Sequence, residues 1–450
     1  MRNRNPAAGP LFAIVLAMLD GAGCAASSDD PAAAENSSNP PVTAWCPGGP
    51  GAIDPRDKGA MGNGRTDDTD AIQAAVDAAG RGGAVCMSPG VYLIRASHDT
   101  AAHGILLKSN LLFEMAPGTI LRAMPTASDW SAILRVQGGS NITIRGGVLE
   151  GERDRHLSTD GEHGFGVALL GASRIVVEDV IARDLWGDGF YVGTARFDND
   201  RGRAGCRDVR FTRVQGLRNR RQGLSIVDCT GAIVEDSAFS DTGGTAPGGG
   251  VDLEPNPGTR VENVTIGGCT MARNVFGVLI AGGGAEFGMN HRNRILANTI
   301  IGNAVNGISL VAVEDNEVRG NHVESSGVAG VQLFRTLDTV VVDNDIHASG
   351  RNGVELIASS TNRVADNRIE GCGVEAAGMW DGIRLVDRSS DNVIESNVVR
   401  AGAASPRFGV RIEDASCFHN QLIGNDLSAS GISGGLSDQG TDTVSMDNRP

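Results

Sequence analysis

Two carboxylates stand two residues apart in the run Gly250-Val251-Asp252-Leu253-Glu254-Pro255, and this spacing is the sharpest chemical signal in the chain. On a β-strand, positions i and i+2 share a face, so the α-carbons of Asp252 and Glu254 would lie about 6.5 to 7 Å apart. Carboxyls separated by about 6.5 to 9.5 Å suit inverting glycoside hydrolysis, in which one protonates the leaving oxygen and the other activates water. Two solvated acids on an exposed strand would be spelled the same way.

One repeat earlier, Arg220, Arg221 and Gln222 precede Gly223, and their donors can clamp carboxylate or sulfate groups on a polymer. Trp186 and Tyr191 offer rings for stacking on sugars, and His163 offers a further acid or base. Nine arginines between Arg196 and Arg221 face only Asp198, Asp200 and Asp208, a local positive field in a chain of net charge −15. The overall sign argues against nucleic acid and against a basic membrane-binding surface. An anionic polysaccharide is the expected partner. No CxxC or Cys/His zinc spacing occurs, so no metal and no cofactor is expected.

These residues must be positioned by a repeat. Glycine followed by apolar, any and apolar recurs at Gly189, Gly223, Gly250, Gly277, Gly307, Gly330, Gly353, Gly382 and Gly409, at intervals of 34, 27, 27, 30, 23, 23, 29 and 27 residues. A period in this range marks one supersecondary unit stacking on the next. A second ladder runs through Asn298, Asn321, Asn344, Asn367, Asn397 and Asn425, at turns where Asn can bond its neighbours and tolerate left-handed φ. The expected fold is all-β: a single-stranded right-handed parallel β-helix of ten or more coils, with strands about 4.8 Å apart. Ile72, Ala75, Val76 and Ala79 fall at helical spacing after the carboxylates of Asp67 to Asp70, which predicts one short N-terminal helix capping the open end. Within each glycine phrase the third residue should point outward, giving a column that includes Tyr191, Ser225, Asp252, Gln332, Glu355, Arg384 and Arg411. Arg411 with Glu413 is the other coil carrying a charged pair.

Arg2, Arg4 and the apolar run from Leu11 to Leu19 read as a secretory signal over 1–24. Cys24 is either a lipidated first residue or close to a simple cleavage point. Residues 25–44 read as a flexible linker, 45–435 as the β-helix domain and 436–450 as a C-terminal tail. The expected product is a monomer, extracellular or lipid-anchored to a bacterial envelope through Cys24 alone. Cys206 and Cys229, one repeat apart, either pair as stacked neighbours or remain buried thiols.

The run from Lys58 to Ala75, with Gly59, Ala60, Gly62, Gly64, Thr66, Asp67, Asp68, Thr69 and Ile72 in place, resembles the opening of the pectate lyase superfamily domain. That likeness covers roughly 50–430 and implies the β-helix fold. A polygalacturonase-like enzyme carries an acid at the turn where this chain has Asp188, which the resemblance therefore implies as a catalytic partner of Asp252 and Glu254. Gln222 and Gly249 stand on the following coils, so that catalytic set is incomplete. Mannuronan C5-epimerases are similar in the opening run, but their Asp-Pro-His-Glu signature is replaced here by Asp252, Leu253, Glu254 and Pro255. A pectate-lyase-type elimination would use an arginine base and Ca2+. Glycoside hydrolysis leads, with a polysaccharide lyase or uronate epimerase as one alternative. A non-catalytic glycan-binding or structural surface protein is the other.

Overall fold

The computed structural model describes residues 52–97, 104–194, 205–282 and 287–450. The expected leader, Cys24 and the expected linker lie outside the described residues. The strands form three parallel sheets of 16, 13 and 13 strands, and each strand pairs with its equivalents one repeat before and after. Sequence neighbours are therefore spread over three sheets, while residues one repeat apart are stacked. The first sheet runs from Ala52–Ile53 to Val444–Met446, the second from Asn63–Asp67 to Val398–Arg400, and the third from Ile105–Leu107 to Gly434–Asp438. This is the expected parallel β-helix. Residues 436–450 are not a tail. Val444–Met446 pairs with Gln421–Ile423 in the first sheet, because the apolar and Asn positions of the repeat continue to Asn448.

Helix α1 spans Thr69–Ala78 and buries Ile72, Ala75 and Val76 against the N-terminal coils. Ile72 and Val76 each contribute about 1.5–3 kcal/mol when fully removed from water. The acids before it divide their work. Asp67 accepts from Thr69 N at 3.1 Å, while Asp68 accepts from the amides of Met61 and Gly62 at 2.7 and 3.1 Å.

The asparagine ladder holds one edge of the stack. Asn344 Oδ1 accepts from the backbone N and the Nδ2 of Asn321, and its own Nδ2 donates to Asn367 Oδ1 at 2.9 Å. The left-handed residue is not the asparagine, as expected, but the one before it: Ala297, Gly320, Asp343, Asp366, Ser396 and Gly424 all have φ between 51° and 66°. That arrangement turns the chain first and leaves the amide free to bridge coils. The repeat glycines answer a different need. A Cβ on Gly330 would lie 2.4 Å from Ile346 Cγ2 and 2.8 Å from Gly353 O, so only glycine lets the coils close on each other there.

The third residue of each glycine phrase points away from the core as expected, yet is not exposed. Ser225, Asp252, Ser309, Gln332 and Glu355 are all buried, because side chains stacked at strand spacing cover one another. Cys206 and Cys229 are register partners but remain free, buried thiols. Burial pushes Cys206 up to about 12. Cys86 is disulfide-bonded.

Candidate active site

Four adjacent strands of the third sheet carry the candidate residues: β1 (His163–Leu170), β2 (Asp188–Gly193), β3 (Gln222–Ile226) and β4 (Gly249–Leu253). Their register sets Asp188 beside Gln222, and Tyr191, Ser225 and Asp252 in one row. The period of the repeat is what brings residues 64 positions apart in sequence together.

Arg221 is the hub. Its Nε and Nη2 donate to the two oxygens of Asp188, each at 2.7 Å, and Nη2 also reaches Ser225 Oγ at 3.4 Å. Nη1 lies 3.9 Å from Glu162 Oε1. Burial works against the guanidinium charge, but the Asp188 carboxylate beside it outweighs burial and its pKa is raised. Asp188 is completely enclosed and both of its oxygens are engaged by Arg221. Expected as a catalytic acid, it anchors Arg221 in this structure.

Gln222 Nε2 donates to Asp252 Oδ2 at 2.9 Å, while Gln222 Oε1 accepts from Gly249 N at 2.5 Å. The amide is thus oriented by the backbone and leaves Asp252 Oδ1 with no hydrogen-bond partner. Burial raises Asp252 well above the usual carboxylate range, and the negative charge of Glu254 raises it further. Glu254 is half-buried and therefore the more open member. Burial raises its pKa too, opposed by the Arg221 charge and reinforced by Glu162. Burial and repulsion from neighbouring carboxylates raise both carboxyls above their ordinary values, so the pair holds a proton more readily than two solvated acids would. That is the requirement for acid and base work from one pair.

His163 borders the same cluster. Burial and the Arg221 charge hold it down to about 3, so it is a neutral imidazole. Glu162, which the sequence reading missed, enters through a loop that no repeat signal marks.

The remaining expected contacts are engaged in structure. Trp186 carries the His156 ring stacked at 3.9 Å and the Arg220 guanidinium 3.8 Å from its centroid, which leaves no face for a sugar. Arg220 also donates to Gly161 O at 3.0 Å and so pins the loop before β1. Tyr191 is buried in an apolar cluster with Trp130 and Phe165, its ring 4.6 Å from that of Phe165. Both aromatic side chains are packing residues here. Three arginines of the described part of the arginine-rich segment are matched: Arg213 grips Asp179, Arg218 grips Asp184 and Arg210 pairs with Glu235. Glu413 is taken up by Arg384 at 2.6 Å, which removes that coil as a second acid site. Arg196, Arg201 and Arg203 lie outside the described residues.

A family model described as the right handed beta helix region matches residues 202–369 and 325–448. The chain belongs to this right-handed β-helix family. Among curated relatives of this β-helix, the uncharacterized protein YclG of Bacillus subtilis is 32% identical over 215 residues, 44% of this chain and 37% of the relative. Mannuronan C5-epimerase AlgE6 of Azotobacter vinelandii is 33% identical over 146 residues, 30% of this chain and 17% of the relative. Alginate lyase 7 of the same organism is 45% identical over 58 residues, 12% of this chain and 7% of the relative. The matches thus cover well under half of each relative's length. The solved A-module of AlgE6 superposes with a TM-score of 0.64 at 18% identity, over 88% of this chain and 98% of that one, which is a likeness of fold.

Proposed function

We propose that this β-helix is an exported enzyme acting on an anionic polysaccharide, with Asp252 and Glu254 as its acid/base pair. The observation that carries the reading is the enclosed Asp252 carboxyl. It is raised by burial, oriented by Gln222, unpartnered at Oδ1 and two residues from the more open Glu254. A carboxyl whose pKa is raised by burial is the better proton donor of a pair, and its neighbour accepts the proton back. Glycoside hydrolysis uses this pair most directly: one carboxyl protonates the glycosidic oxygen as the C–O bond breaks, and the other takes a proton from the attacking water. Arg221, neutralised by Asp188, acts through the pair as a positioning residue that limits how far the Glu254 pKa rises.

The likeness to proteins named mannuronan C5-epimerase and alginate lyase favours a second reading, proton removal from a uronate ring. It would use the same two carboxyls, and an elimination would carry a Ca2+ requirement. Mannuronan and alginate are therefore the first polymers to test, followed by pectic and sulfated glycans. Hydrolysis releases reducing ends alone, elimination adds an absorbing double bond, and epimerisation changes the uronate composition without cleavage. Binding with none of these would overturn the enzymatic reading.

A further inference from the structure

We propose that His322, Asp345 and His347 form a binding site for a first-row transition-metal dication, Zn2+ being the representative ion, on the outside of the second sheet. The ligands come from two adjacent strands, β5 (His322–Glu324) and β6 (Asp345–His347), with His322 directly beside Asp345 and Glu324 directly beside His347. One donor atom from each of the three residues lies within 4.8 Å of the others. His322 Nδ1 is 3.3 Å from Asp345 Oδ2, and His347 Nε2 is 2.6 Å from Asp345 Oδ1. Both imidazoles therefore already turn a nitrogen toward one carboxylate. Ligands about 2.0–2.1 Å from a tetrahedral ion are about 3.4 Å apart, so small side-chain rotations suffice to close the set.

The donor chemistry selects the ion. Two imidazoles and a carboxylate suit Zn2+, Ni2+ or Cu2+, whereas Ca2+ and Mg2+ require oxygen ligands. Glu324 Oε2 lies 3.4 Å from His322 Nε2 and can take that N–H, leaving the Nδ1 lone pair directed at Asp345. A carboxylate behind the imidazole is the usual means of orienting a metal-bound histidine. Arg368 lies 3.8 Å from Asp345 and opposes a cation, but its guanidinium is paired with Glu370 of its own strand. The acid pair Asp252 and Glu254 belongs to the third sheet, so this ion would fasten successive coils rather than take part in turnover. Sequence spacing gave no hint of it, because the ligands lie 23 and 25 residues apart and meet only through the stack.

The test is Zn2+ titration of the untagged, chelator-stripped chain by calorimetry and by competition with a chromophoric chelator. The expected result is one equivalent bound by the parent, with affinity at least tenfold weaker in His322→Ala and in His347→Ala. Zn2+ should raise Tm in the parent only. Circular dichroism of the metal-free variants checks that they are folded. No zinc uptake by the parent, equal uptake by folded variants, or displacement of Zn2+ by equimolar Ca2+ would each overturn the proposal.

Discussion

Arg221 and Asp188 meet through two parallel hydrogen bonds of 2.7 Å, and the carboxylate is completely enclosed by the coils on either side. Removing one partner of such a pair leaves an uncompensated buried charge, which costs about 3–5 kcal/mol. Arg221→Met and Asp188→Asn should both lower the free energy of unfolding by amounts in that range, read from urea denaturation followed by circular dichroism. Parent-like stability in Asp188→Asn with turnover lost would return Asp188 to the chemistry.

The asparagine ladder yields a second stability test. Asn344→Ala removes an acceptor for two donors of Asn321 and leaves Val318 O and Asn367 Oδ1 without its amide. Each buried polar group left unsatisfied costs about 1–3 kcal/mol. A fall of about 2–4 kcal/mol is expected in chemical denaturation, against less than about 1 kcal/mol for the exposed Asn63→Ala.

The fold was legible because the repeat is written in the sequence twice, once by the glycines and once by the asparagines. The site was legible only in part. Asp252 lies on its strand and Glu254 just past the strand's end, two residues on, so their proximity follows from sequence spacing, and Gln222 and Arg221 follow from the repeat. The roles of Trp186 and Arg220 were hidden because His156 and Gly161 come from a loop with no repeat signal. The pairing of Asp188 with Arg221 was not legible, because spacing shows where a carboxylate lies but not which cation engages it.

Asp228 gives a pH test. Burial pushes its carboxyl up to about 6, against an unfolded value near 4. Between these values the unfolded chain has lost the proton and the folded chain keeps it, so this group's contribution to stability falls as pH rises from about 4 to about 6. Asp228→Asn should therefore raise Tm relative to the parent at pH 7 and lose that gain at pH 4. A variant less stable than the parent at pH 7 would contradict the assignment.

Gln222 reports on Asp252. Its Nε2 donor favours the ionised carboxylate, so Gln222→Leu should raise the Asp252 pKa further. If Asp252 acts as the proton donor, the alkaline limb of the pH–rate profile moves to higher pH in this variant. An unmoved limb would place the essential acid elsewhere.

The most direct test of the acid/base pair is turnover of the anionic polymers by the parent and by Glu254→Gln, with the melting temperature of each measured in parallel. The account predicts that the parent transforms at least one polymer and that the variant does so about 10²–10⁴-fold more slowly while melting at the parent's temperature. Equal rates in the two proteins would contradict it.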